Sequence, residues 1–106
     1  MSQEIEIMYV TVASTEEGKK IANSLLEKKM IACANLMQSH TAIYPWEGKI
    51  EEGSERILLL KTQKSRVEEI TKIIESLHSY DCPCILNWSS SANAPFAEWV
   101  LSETNK

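Results

Sequence analysis

Little in this chain punctuates or cross-links it. Only three glycines and three prolines occur in 106 residues, so no flexible or Pro-rich linker divides it, and a single domain over 1–106 is expected. Three cysteines, Cys33, Cys82 and Cys84, cannot all pair within one chain. An odd, sparse count fits a reducing compartment better than a disulfide framework. Long apolar runs are missing too: the longest stretch of large aliphatics, Ile57-Leu58-Leu59-Leu60, is far too short to span a bilayer. The opening Met1-Ser2-Gln3-Glu4 is polar and acidic, unlike a secretory signal. These absences lead to the expectation of a cytoplasmic protein with no membrane partner. A basic excess is also lacking. Eleven Lys and Arg against fifteen Asp and Glu leave a net charge of −4, which argues against a surface that neutralises phosphates and hence against a nucleic-acid partner.

What is present is a pattern of strand, helix and strand that occurs twice. Ile5, Ile7, Met8, Tyr9, Val10 and Val12 form a β-rich run. Ser14 and Glu17 then stand at capping-box spacing, each able to satisfy the other's backbone N–H. Ile21, Ala22, Leu25 and Leu26 follow on one helical face, with the helix ending near Lys29 or Met30. Ile31 to Trp46 reads as one long extended segment, and Glu47-Gly48-Lys49 as a hairpin turn. The second unit has its strand at Ile57 to Lys61 and a second capping box at Ser65 and Glu68. Val67, Ile70, Ile73, Ile74 and Leu77 make the clearest helical stripe. Cys84 to Trp88 reads as the last strand and Ser89-Ser90-Ser91 as a loop. Asn93 and Pro95 start a terminal helix with Phe96, Trp99 and Val100 on one face. The fold class is therefore α+β: a ferredoxin-like βαββαβ sandwich with a C-terminal helix, both long helices lying on one face of a four-stranded antiparallel sheet.

Two features do not suit a lone subunit. Ile57 to Leu60 is apolar on both strand faces, and the first strand carries Ile5, Ile7 and Tyr9 opposite Met8, Val10 and Val12. The helices cover only one of these faces, and the terminal helix is too short to cover the other. The extended segment also outruns an ordinary strand and leaves an edge that a neighbour can pair with. A homo-oligomer joined partly through strands is expected, against the simpler reading of a hairpin curled over its own sheet.

Ala42-Ile43-Tyr44-Pro45-Trp46-Glu47-Gly48-Lys49-Ile50 resembles the Tyr-x-Trp-Glu-Gly-Lys hairpin of the CutA family, the divalent-cation tolerance proteins. Glu27 to Asn35, with its Ala-Cys, is similar to that family's helix-to-strand passage. Lys61-Thr62, Leu77-His78-x-Tyr80-x-x-Pro83 and Trp99 extend the match over nearly the whole chain. The resemblance implies a non-enzymatic homotrimer of ferredoxin-like subunits, PII-like in assembly. It also implies a role in the response to metal ions, with copper or another divalent metal as a ligand not required for folding. Some members have a copper-binding Cys where Thr11 stands here, and the family often has Pro and Glu where this chain has Ser79 and Cys84. Residues Tyr44, Trp46, Glu47, Lys61, Tyr80 and Trp99 would, by the same resemblance, line a cleft between subunits near His78.

The sequence offers one metal-like constellation, His78-x-x-x-Cys82-Pro83-Cys84. On an extended strand the two thiols share a face, and two thiolates with an imidazole favour Cu(I) or Zn over Mg or Ca. The competing reading is that these cysteines are small core residues. Tyr44 and Trp46, two apart, serve either a small-ligand pocket or an aromatic subunit contact. His40 reads as a solvated bend residue. Catalysis has no support, because no His and carboxylate accompany Ser89 to Ser91 as a triad. An RNA-recognition role fails because Ile57 to Lys61 carries no aromatic ring to stack on bases. Two rival functions stand beside metal response: a PII-like trimer sensing a small molecule, and a scaffold presented to a protein partner.

Overall fold

The β-branched and aliphatic alternation of the first dozen residues makes the central strand of the sheet. In the computed structural model, which describes residues 2–105, that strand is β1 (Ser2–Val12), followed by α1 (Thr15–Glu27), β2 (Cys33–Leu36), β3 (His40–Trp46), β4 (Lys49–Thr62), α2 (Val67–Leu77), β5 (Ile85–Asn93) and α3 (Ala94–Glu103). The strands β2-β4-β1-β5 lie side by side in that order, all neighbours antiparallel, which is the ferredoxin-like arrangement. No described helix is long and apolar enough to cross a membrane.

The sheet has five strands rather than the expected four, because the long segment after α1 breaks in two. Leu36 pairs with Leu58 and His40 with Glu55, so three residues, Met37, Gln38 and Ser39, face only Arg56 and Ile57. One residue is in excess, and the strand bulges there. The bulge is tied down by the Met37 amide donating to the Ile57 carbonyl at 2.9 Å and by Arg56 Nη1 donating to the Met37 carbonyl at 3.2 Å. Beyond it, β3 pairs only with the first half of β4, in a hairpin that projects from the sheet. Glu47 (φ 50°) and Gly48 (φ 81°) both take left-handed angles, as a two-residue hairpin turn of matching twist requires. The projection gives extents of 48 × 26 × 22 Å and a radius of gyration of 14.6 Å, against about 13 Å for a compact chain of this length.

Ser14 caps α1 as its spacing implies, accepting from the Glu17 amide at 3.1 Å. The helix stops in a Schellman motif: the Met30 amide donates to the Leu25 carbonyl and the Lys29 amide to that of Leu26, with Lys29 left-handed at φ 57°. The second capping box does not form. A 3₁₀ turn, Lys64–Arg66, precedes α2, and Ser65 Oγ donates to Gln63 Oε1 instead of capping. The serine run is strand rather than loop: Ser89, Ser90 and Ser91 pair with Glu6, Ile5 and Glu4. Ser89 Oγ and Asn87 Nδ2 donate to the buried Glu6 carboxylate at 2.8 and 2.7 Å, so polar groups without cations satisfy it.

The core lies between the sheet and the two long helices, where Met8, Val10, Val12, Leu58 and Leu60 meet Ile21, Leu25, Ile70 and Ile74. Opposite, α3 covers only one end of the other sheet face, packing Ala97 and Val100 on Ile5 and Ala32. Arg66 fastens the end of α3, its Nε and Nη2 donating to the Thr104 carbonyl at 2.9 and 2.7 Å. The rest of that face stays open. Ile7, Tyr9, Ile57 and Leu59 are half-buried, and Leu86 and Trp88 keep 52% and 45% of their surface exposed. Ile43 and Ile50, both mostly exposed, lie on the other side of the hairpin, away from Tyr44 and Trp46. Within one chain the hairpin does not curl over the sheet.

Candidate functional site

The bulge decides where the site lies. Before it, Cys33 and Asn35 stand opposite Lys61 and Leu59; after it the parity shifts, and His40, Ala42, Tyr44 and Trp46 stand opposite Glu55, Gly53, Glu51 and Lys49. The even-numbered residues of β3 thus join the open face. A cleft of about 540 Å³ forms there between the hairpin, the end of β1 and the segment 80–84 that leads from α2 to β5.

That segment is positioned from behind by Glu17 and His78. Glu17 accepts from the Ala13 amide through Oε1 and from the Ser79 amide through Oε2, both at 2.8 Å, so one carboxylate holds the α1 start to the segment after α2. Burial pushes its pKa up, but these donors and the neighbouring His78 outweigh it and hold the carboxyl below its ordinary value. His78 is wholly enclosed: Nε2 donates to the Thr11 carbonyl at 2.7 Å and Nδ1 accepts from the Tyr80 amide at 3.1 Å, which puts the proton on Nε2. Its ring lies 4.7 Å from that of Tyr80. Tyr80 in turn reaches Glu55, and burial together with that hydrogen bond raises the phenol above its ordinary pKa. Burial, with Glu55 and Cys82 nearby, also raises the Cys84 thiol.

Glu17→Ala is expected to cost about 1 kcal/mol of stability at pH 7, since it removes two charge-assisted backbone hydrogen bonds whose amides then turn to water. Because the folded carboxyl is held below its unfolded pKa, this stability is present above the unfolded value and lost as pH falls through the folded one. Urea denaturation of both proteins checks it. The gap between them should narrow below about pH 4, and a gap independent of pH would contradict the assignment.

Of the six residues expected in a cleft, the chain brings Tyr44, Trp46 and Tyr80 together there. Glu47 sits in the hairpin turn, Lys61 bonds to Asn35 on the open sheet face, and Trp99 lies on α3 against Phe96. Tyr9, Thr11, Glu55 and Asp81 also line the cleft, and the sequence pattern did not single them out. For Tyr9, Thr11 and Glu55 the signal was the odd-numbered register of β1 and β4, legible only once β4 is extended back to Lys49, whereas Asp81 lies on the segment between α2 and β5 and carries no periodic signal. His40 starts β3 rather than a bend, with Nε2 3.9 Å from Glu55.

The residues expected to hold copper do not fit it. Both ring nitrogens of His78 are engaged, which leaves no lone pair for a metal. Cys84 is biased toward the protonated thiol, whereas the thiolate is the ligand. Cys82 is exposed and Cys33 lies elsewhere, beside Lys61. Among the described residues no group of three or more His, Cys, Asp or Glu side chains converges on one point.

A family model described as the CutA1 divalent ion tolerance protein matches residues 6–103. The divalent-cation tolerance protein CutA of Pyrococcus horikoshii is 41% identical over 101 residues, covering 94% of this chain and 98% of that protein. The chloroplastic CutA of Arabidopsis thaliana is 35% identical over 99 residues, 92% of this chain, which spans 54% of that longer relative. The crystal structure of CutA1 from Ehrlichia chaffeensis superposes with a TM-score of 0.92 at 37% identity, covering 96% of each chain. Sequence and fold agree over the same residues that build the hairpin, the cleft and the open sheet face: the chain belongs to the CutA1 divalent ion tolerance protein family.

Proposed function

We propose that this chain acts in the response to divalent metal ions as a non-enzymatic homotrimer, PII-like in assembly, with the open sheet faces packed together and each hairpin laid along a neighbour. The observation that carries the reading is the sheet face on which exposed Leu86 and Trp88 adjoin half-buried Ile7, Tyr9 and Leu59, larger than α3 can cover. The metal-response role rests on the family and on relatives named for divalent-cation tolerance. Three unpaired cysteines accord with a reducing compartment, cytoplasmic in this reading. His78, Cys82 and Cys84 lend copper binding no support within one chain, so this reading leans on the family and the assembly.

The test is growth of a strain lacking its own protein of this family, challenged with copper and other divalent salts. The wild-type chain and a Cys82→Ser/Cys84→Ser variant are expected to restore tolerance equally, and to carry equal metal after purification under reducing conditions. Tolerance restored by neither protein contradicts the metal-response role, and loss confined to the variant returns the cysteines to a metal site. A second reading, small-molecule sensing, is favoured by the open, aromatic-lined cleft between the hairpin and β1.

A further inference from the structure

Among the described residues, Glu6 is the only charged residue that is buried, with 2% of its surface exposed. It shares the helix side of β1 with Met8 and Val10, and neutral donors on β5 answer it: Ser89, directly opposite, and Asn87, opposite Met8. Enclosing a carboxylate is costly, and the cost is offset only where donors stand at the right places. That demand matters because β5 is poorly marked. Its large apolar residues, Ile85, Leu86 and Trp88, crowd into the first four positions, and Ser89, Ser90 and Ser91 are chemically interchangeable. A strand stretch that is polar on both faces holds its register weakly. Alternation excludes a shift by one residue, which would turn Trp88 into the helix-side core and Ile85 out of it. Shifts by two keep every side chain on its own face. In one direction Trp88 would move from Ile7 to Tyr9, setting Asn87 against Val10 and Ser89 against Met8, both fully buried, so the core forbids it. In the other direction apolar residues still meet apolar ones: Leu86 would face Ile7, Trp88 would face Ile5, and Ile85 would face Met8. Between the two strands only Glu6 opposes this alignment. Asn87 would take the place of Ser89 and Ile85 the place of Asn87, so the buried carboxylate would exchange a donor for an isoleucine.

We propose that Glu6 is a register lock: through Asn87 and Ser89, its carboxylate selects the one alignment of β5 on β1 that the apolar pattern leaves undecided. The consequence reaches beyond the two strands. Helix α3 follows Asn93 without a loop, so a two-residue slip would carry its start about 7 Å along the sheet, away from its seat on Ile5 and Ala32. The same slip would relocate Leu86 and Trp88 on the open face. The lock is built within one chain, on the side of the sheet that the helices cover, and does not rest on the trimer. Nuclear magnetic resonance of the full chain tests it, through short backbone-proton distances between β1 and β5. The wild type is expected to show Ile7 against Trp88 alone. Glu6→Val keeps the strand preference and removes the acceptor, and it is expected to show Ile7 against Leu86 as well, in about a tenth of the molecules or more. Should that variant not fold, Asn87→Ala/Ser89→Ala, at two exposed positions, removes the donors from the other strand and is read the same way. Ile7 against Trp88 alone in the folded variant overturns the inference even if its melting temperature falls, since a carboxylate that merely stabilises would leave the alignment unchanged.

Discussion

Leu58→Ala is expected to lower the unfolding free energy by about 3 kcal/mol, measured by denaturant titration at fixed protein concentration. Leu58 is fully buried at the middle of β4, between β1 and β2 and beneath both long helices. It pairs with Val10 on one side and Leu36 on the other, and the helix side of the sheet around it holds Met8, Val10 and Leu60, all without exposed surface. Removing its branched side chain leaves a cavity that a sheet pinned on both edges closes poorly, so loss of transfer energy and loss of packing add. Leu59→Ala is the instructive control. Its side chain lies on the open face and is only half-buried in one chain, so a lone subunit would lose about 1 kcal/mol. A larger loss at Leu59 reports that a second copy covers it.

Trp88→Glu is expected to reduce the particle from three protomers to one at micromolar concentration, read by size-exclusion chromatography with light scattering. Trp88 sits on β5 opposite Ile7, with 45% of its surface exposed in one chain. Charge there costs a solitary subunit little, because the carboxylate reaches water. In an assembly closed over that face the same charge is buried without a partner and repeated in every protomer, at several kcal/mol each. The substitution therefore separates the two cases: an unchanged mass and melting curve would mean that Trp88 faces solvent in the native particle. A mass of one protomer with the far-ultraviolet circular dichroism retained is the outcome that fits a covered face.

The helices were the most legible part of the chain. Ile70, Ile73, Ile74 and Leu77 recur at the helical period because one face of α2 meets the sheet, and the Ser14 cap of α1 reads directly from the sequence, although Glu17 turns its carboxylate to the Ala13 and Ser79 amides instead of completing the box. The second box failed because Gln63 and Ser65 bond to each other, which leaves α2 to begin after a 3₁₀ turn. Local propensity also misread the serine run. Serines favour loops, yet Ser89 and Ser90 are drawn into β5 by pairing with β1 and by the Glu6 carboxylate, contacts more than eighty residues distant in sequence.

The cleft was half legible. Tyr44 and Trp46 share a strand face by simple alternation, but which face depends on the single extra residue at Met37 to Ser39, and a bulge has no periodic signature. Without that parity shift, Glu55 and Tyr9 cannot be assigned to the same side as the two hairpin rings. His78 and Glu17 illustrate the converse. A histidine near two cysteines suggests a ligand, yet its surroundings make it a brace between the β1 end and the Tyr80 segment. The doubly apolar strands, by contrast, were visible from alternation alone, and they are the feature on which the assembly rests.

Sedimentation equilibrium of the wild-type chain across the micromolar range tests that feature most directly. Closure of the uncovered sheet face by two further copies predicts a single species of three times 12.0 kDa with no dissociation on dilution. A species of 12.0 kDa throughout the range would contradict it, and would mean that Leu86, Trp88 and the hairpin isoleucines stand in water in the native protein.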